Sequence, residues 1–126
     1  MNTDNNPTPE QQPQRYRCTP ARHPALPLHL GDVYITSALR AHVEGDANAD
    51  AALMAALRLH QGGHWDRSAL DQHDQRVNDE ALDSGGRILT AWEITAHGRT
   101  ERVYVITEAA DDRGGRVTVL MLASDY

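Results

Sequence analysis

The chain has 126 residues, a formal net charge of −6 and one cysteine. This length fits a single domain with a modest core. All twelve basic residues are arginine, which excludes lysine-dependent chemistry such as a P-loop or a Schiff base. No apolar run approaches the roughly 20 residues of a membrane helix, and the first residues lack a signal-peptide pattern. Because the lone Cys18 cannot form an internal disulfide, we expect a cytoplasmic protein.

The negative charge is concentrated after residue 27, where nine arginines stand against sixteen acidic residues. Such a surface repels the phosphate backbone of nucleic acids. We therefore expect no direct nucleic-acid binding and no membrane contact. A protein partner is the expectation that this charge favours.

The first 27 residues contain all six prolines, mixed with Asn, Gln and Thr. This composition is typical of disordered chain, because it offers little apolar surface to bury. It predicts a largely disordered leader over 1–27 and a single α+β domain over 28–126.

The domain begins with a short strand pattern over 28–35, and helical patterns follow it. Thr36 is a candidate N-cap for the first helix, which extends to Glu44. The apolar spacing predicts a second helix over Ala49–Leu59 and a third over Ala69–Leu82. Ser68 is a candidate N-cap for the third helix.

The pattern then changes to alternation with a period of two. It predicts three strands over 87–95, 102–108 and 116–122, joined by short turns into an antiparallel meander. Two to three helices packed on this meander, with the short strand at its edge, make an α+β fold. The second and third strands are apolar on both faces, so one face is expected to contact the helices. The other face needs a cover, either the leader or a second copy of the protein.

The most concentrated chemistry lies between His60 and Asp66, where two histidines, a tryptophan and a carboxylate surround a double glycine. One hypothesis makes His60, His64 and Asp66 the ligands of a metal ion. A second makes His60, His64 and Arg87 the acid–base groups of a small ribonuclease-like or toxin-like enzyme. Because the double glycine interrupts the helix that both sets need, the segment is more typical of a helix end, with Trp65 anchored in the core.

Other polar and aromatic residues are candidates for contact with a partner. Asn78 is an unusual choice inside a helix, and Glu108 follows a strand of apolar residues. The sequence contains no cofactor motif, so we assign no cofactor and no catalytic residue outside the alternatives above. The interaction candidates are Trp65, Asp74, Asn78 and Glu108.

Several short blocks lie between residues 58 and 126. They are Arg58-Leu59-His60, Gly63-His64-Trp65, Asp74 with Asn78, Ala81-Leu82, Gly86-Arg87-Ile88-Leu89, Tyr104-Val105-Ile106-Thr107-Glu108, Thr118-Val119-Leu120 and Asp125-Tyr126. In these blocks the chain resembles a functionally uncharacterised family of small proteins carried by bacterial plasmids, prophages and integrative conjugative elements. It departs from the family at His64, where members tend to have aspartate, and at an insertion over 109–115.

The resemblance implies a genomic setting rather than an activity. Small proteins of such elements often regulate transfer or inhibit host defence complexes, including as anti-CRISPR proteins. Together with the acidic charge, this predicts a non-enzymatic interaction module that binds a host or element protein complex and forms a homodimer through its sheet.

Overall fold

The computed structural model describes residues 23–126. The predicted leader lies mostly outside the described residues, and its disorder stays a prediction. Three helices and four strands make an α+β fold, with two short 3₁₀ turns at Trp65–Arg67 and Ala123–Asp125. In chain order the elements are β1 (Asp32–Ile35), α1 (Ser37–Val43), α2 (Ala47–Gln61), α3 (Gln72–Ser84), β2 (Ile88–Ala96), β3 (Arg99–Thr107) and β4 (Val117–Leu122).

The strands form one mixed sheet in the order β1-β4-β3-β2. Strands β2, β3 and β4 are antiparallel neighbours, as the meander predicts. Strand β1 lies at the sheet edge, is shorter than the predicted 28–35 strand and pairs with β4 in parallel, so the meander is part of a mixed four-stranded sheet. Gly31 enters β1 with a φ of 65°, and a side chain there would collide with the carbonyl oxygen of Arg116.

Two carboxylates fix where the longer helices begin. Asp46 accepts a hydrogen bond from the backbone N–H of Ala49 at 3.0 Å and caps α2. Asp71 accepts one from the N–H of Asp74 at 2.8 Å and caps α3. The prediction that α3 begins after Ser68 is wrong, because the Ser68 hydroxyl instead donates to the carbonyl of the preceding 3₁₀ turn.

The helices cover one face of the sheet, where α1 contacts β4 and α2 contacts β2 and β3. A second cluster contains Trp65, whose side chain is buried and whose indole N–H donates to Asp79 at 3.0 Å. The prediction of Trp65 as a core anchor is therefore confirmed. Leu26 and Leu28 pack into the same cluster, so the chain from 23 to 27 lies against the domain. Among the described residues, no helix has the length and apolar character needed to cross a membrane.

Candidate functional site

His60 lies in the last turn of α2 and points into the interior between β2 and β3. Its side chain is fully buried. Nδ1 is 2.7 Å from the hydroxyl of Thr90, and Nε2 is 2.8 Å from the hydroxyl of Thr107. Both ring nitrogens therefore have a partner inside the protein.

The hydrogen bonds beyond Thr107 fix which nitrogen of His60 carries the proton. The Thr118 hydroxyl donates to the carbonyl of Leu30 at 2.8 Å, and it lies 2.9 Å from the Thr107 hydroxyl. Because a hydroxyl has one proton, Thr107 must donate to Thr118 and accept from His60. The neutral imidazole is thus protonated at Nε2.

The hydrogen bonds on the Thr90 side of His60 run in the same direction. The indole N–H of Trp92 donates to the Thr90 hydroxyl at 2.7 Å. Since Nδ1 of His60 has no proton in this tautomer, the Thr90 hydroxyl donates to it. A second proton on His60 would leave the Thr90 hydroxyl proton without an acceptor, and it would place a charge in the core. Burial accordingly lowers the pKa of His60 from its usual 6.5 to about 3.

This arrangement separates the residues of the ribonuclease-like hypothesis. His60 has no exposed surface on which a substrate could bind. Arg87 lies on the other side of the sheet, because side chains alternate along a strand, and it pairs with Glu108 at 3.4 Å. His64 follows the end of α2 at Gln61 and is half-buried. The structure therefore corrects the hypothesis: His60, His64 and Arg87 do not converge.

The metal hypothesis meets the same geometry. Residues 23–126 contain no group of three or more His, Cys, Asp or Glu side chains that could hold a metal ion. Both nitrogens of His60 are hydrogen-bonded to threonine hydroxyls. The double glycine places His64 and Asp66 beyond the helix, and Gly63 has a φ of 81°. The set of His60, His64 and Asp66 is thus not assembled as a metal centre.

Two of the four interaction candidates are used inside the protein. Trp65 is buried, so it is not accessible to a partner. Asn78 is buried too, and its amide pairs with the backbone of Leu89 through bonds of 2.9 and 3.3 Å. The Ala69 N–H donates to the next outward carbonyl of β2, that of Ala91, at 2.7 Å. These contacts take the place of a neighbouring strand, which explains an asparagine inside α3.

The face of the sheet opposite His60, which we call the outer face, carries the accessible apolar surface. On β3 and β4 its central side chains are Ile106, which is buried, and Tyr104 and Val119, which are half-buried. Of the five large apolar side chains that are exposed among residues 23–126, four lie on this side of the molecule. They are Tyr34, Val77, Val117 and Tyr126.

The assignment of these four residues to the outer face follows from their neighbours. Tyr34 lies opposite Val119 in the register of β1 and β4. Val77 lines a groove of about 360 Å³ between α3 and β2, together with Leu89. The ring of Tyr126 packs edge-on against Tyr104, with centroids 5.3 Å apart.

Two cross-strand ion pairs mark the ends of the outer face. Arg87 and Glu108 are 3.4 Å apart at one end, where the Arg87 guanidinium also lies over the ring of Tyr126. Glu93 and Arg102 are 3.6 Å apart at the other end. These four charges cancel, whereas the helical segment 37–84 has nine acidic residues against four arginines. Most of the negative charge of residues 23–126 is therefore carried by the helical segment.

The sequence predicts part of this site. Its strand pattern indicates that the sheet face not covered by helices, the outer face, needs a cover. Glu108, one of the predicted interaction candidates, has a half-exposed carboxylate beside Arg87. Asp74, the fourth interaction candidate, is exposed and lines the groove with Val77. The sequence pattern does not single out Tyr34 or Tyr126, although the alternation of β4 places apolar residues on both faces of the sheet.

No family model, no curated protein and no solved structure matches this chain. The resemblance to small proteins of plasmids and prophages therefore stays a prediction from sequence blocks, and the site is argued from geometry alone.

Proposed function

We propose that this protein is a non-enzymatic interaction module, which acts by binding another protein through its outer face. The observation that carries the proposal is the exposed apolar surface of that face, with Tyr34, Val117 and Tyr126 at accessible positions. Tyrosine and apolar side chains framed by charged residues are typical of protein interfaces.

The buried state of His60 supports contact rather than catalysis. A general acid or base has to reach its substrate and to change protonation near the working pH. His60 does neither, because its ring is enclosed and its pKa is lowered to about 3. Its role is to join α2 to the sheet.

The acidic helical side favours a second contact with a basic protein surface, such as one on a nucleic-acid-handling complex. The setting in a mobile element, and inhibition of a host defence complex of the anti-CRISPR kind, belong to the proposal and are supported by the sequence resemblance. In this view the outer face provides apolar contact and the helical side provides charge.

The test is affinity capture with variants that differ only in the face they change. Val117→Ser alters the outer face, while Val33→Ser alters an exposed valine on the opposite face of neighbouring β1. We expect a bound protein to be retained by the wild type and by Val33→Ser, and to be lost with Val117→Ser combined with Tyr34→Ser. Equal retention by all variants contradicts the proposal.

A separate assay addresses the catalytic alternative. Purified protein is incubated with RNA, and the products are compared for the wild type and His64→Ala. We expect no cleavage in either case. Cleavage by the wild type that His64→Ala abolishes would overturn the non-enzymatic assignment.

A further inference from the structure

We infer that the outer face binds a second copy of this chain in a two-fold symmetric dimer. The inference rests on the proposed function, because it names the occupant of the same face. It is carried by the order of the two ion pairs on neighbouring strands.

The two ion pairs have opposite order across the sheet. At one end the arginine is on the β2 side and the glutamate on the β3 side, as Arg87 and Glu108. At the other end Glu93 is on β2 and Arg102 on β3. All four side chains lie on the outer face, because positions of equal parity along a strand share a face.

This order makes the face complementary to itself. Consider two copies whose outer faces are stacked, with a two-fold axis that lies midway between the sheets and runs perpendicular to the strands. This axis places β2 of one copy over β2 of the second copy, with the two strands running in opposite directions. If the axis passes residue 90, Arg87 of one copy lies over Glu93 of the other. The same axis passes residue 105 of β3, because Thr90 and Val105 are opposite each other in the register. It therefore places Glu108 over Arg102 of the second copy.

The side chains between the two ion pairs suit the centre of such an interface. Leu89, Tyr104 and Val119, all half-buried, surround the buried Ile106 in the middle of the face. The exposed Tyr126 packs against Tyr104, and the exposed Tyr34 lies toward the β1 edge. Sheets that stack face to face do so about 10 Å apart with their strands nearly aligned. The Tyr126 ring of each copy, which packs against Tyr104, fills part of that space, and the long charged side chains at both ends reach across it to meet.

Charge also favours a second copy over a basic partner at this face. A basic protein is attracted to the helical side, where acidic residues outnumber arginines by nine to four. Among the strand side chains of the outer face the paired charges cancel, and Asp32 of β1 is the one further acidic residue. Asp74 beside Val77 and Asp125 beside Tyr126 lie at the border of this face. Two copies, each strongly acidic, repel least when they meet through this side.

The dimensions of the face set the concentration at which the dimer forms. Four strands spaced about 4.8 Å apart, with about six residues of about 3.4 Å each, give a patch of roughly 19 by 20 Å. The resulting area, about 400 Å² for each copy, is about half of the roughly 800 Å² that each partner buries in a standard interface. We therefore expect a weak dimer that dissociates on dilution. Sedimentation equilibrium over micromolar to millimolar concentration should show a mass that rises from 13.9 kDa toward twice that value.

Charge-swap variants test the geometry without changing composition or net charge. Arg87→Glu with Glu108→Arg keeps the ion pair within each chain but places like charges over the second copy. Glu93→Arg with Arg102→Glu does the same at the other end. We expect each variant alone to raise the dimer dissociation constant by more than about tenfold, whereas a matched swap of Arg99 and Glu101, which lie on the other face, leaves it unchanged.

A mixture of the two charge-swap variants tests whether association can be restored. In a mixed dimer every arginine again lies over a glutamate, so we expect association to return to the wild-type strength. If either variant fails to fold by circular dichroism, the chain with all four substitutions replaces the mixture, because it restores both the internal pairs and the pairs between copies. Failure of the mixture, or of that chain, to associate overturns the inference.

The outcomes also separate the dimer from the proposed function. A wild type that stays at 13.9 kDa throughout overturns the second copy as occupant. If Val117→Ser combined with Tyr34→Ser still abolishes capture of another protein, the interaction module stands. If the charge swaps dissociate a dimer while the chain with Val117→Ser and Tyr34→Ser still captures another protein, the dimer stands and the proposed binding face is wrong.

Discussion

Burial of His60 makes the stability of this protein depend on pH in a predictable direction. In the unfolded chain the imidazole has a pKa near 6.5, and in the folded protein burial lowers it to about 3. Between these values the unfolded state binds the extra proton and the folded state does not. The free energy of unfolding therefore falls as the pH is lowered from about 6.5 toward 3.

The magnitude follows from the difference between the two pKa values. Each pH unit within this range removes about 1.4 kcal/mol, and the full range removes about 5 kcal/mol. A single domain has a total stability of about 5–15 kcal/mol. Protonation of this one residue therefore removes about 2 kcal/mol by pH 5, and by about pH 3 the loss equals the whole stability of a weakly stable domain.

The assay is urea unfolding of the wild type and His60→Gln between pH 7.5 and pH 4.5. The other titrating groups are common to both proteins, so the difference between their stabilities isolates His60. We expect His60→Gln to be less stable at pH 7.5, because glutamine does not reproduce the bonds to both threonine hydroxyls. That difference should shrink by about 1.4 kcal/mol for each pH unit below 6.

A stability difference that stays constant from pH 7.5 to pH 4.5 would refute this reasoning. Should His60→Gln fail to fold, an NMR titration of the wild type gives the same answer. The His60 ring signals should not titrate while the protein remains folded, and their nitrogen shifts should show the proton on Nε2. Titration of that ring near pH 6.5 contradicts the buried neutral state.

Three further substitutions, two of them with a matched control, test other parts of the fold by urea unfolding. Thr107→Val leaves a proton of His60 without an acceptor and should cost about 1–3 kcal/mol; Thr95→Val, which breaks an exposed hydroxyl pair, should cost less, and equal costs contradict the role of the buried chain. Gly31→Ala should destabilise more than Gly98→Ala, since both have positive φ but only the first meets backbone. Asn78→Leu should cost about 1–3 kcal/mol through the lost bonds to β2, and a neutral effect would be inconsistent with its pairing.

The local sequence pattern predicts most helices and strands of this fold, but it does not predict which of them pair with one another. The alternation from Ile88 to Thr95 predicts both β2 and the face that each residue takes. The start of α3 was misplaced because Ser68 and Asp71 are both good caps three residues apart. The parallel pairing of β1 with β4 joins residues about 85 positions apart in register, and no local signal specifies that choice.

The candidate site was predicted less well, because its members meet only after folding. His60 lies on the same stripe of α2 as Leu53 and Ala56, which is a signal of burial. Its partners Thr90 and Thr107 come from two strands 30 and 47 residues further along the chain. Threonines on the helix-facing side of adjacent strands are a pattern that could have indicated a buried polar partner.

The amide of Asn78 also decides how far this sheet can grow. Fibres form when each molecule offers two free strand edges, so that a third copy can always join the first two. Here Asn78 and Ala69 occupy the outward backbone groups of Leu89 and the outward carbonyl of Ala91 beside α3, so a foreign strand cannot pair with this part of β2. The open part of the β2 edge is thereby shortened, and short edges are one means by which native proteins resist such pairing. One side chain in a helix thus works against edge-to-edge polymerisation.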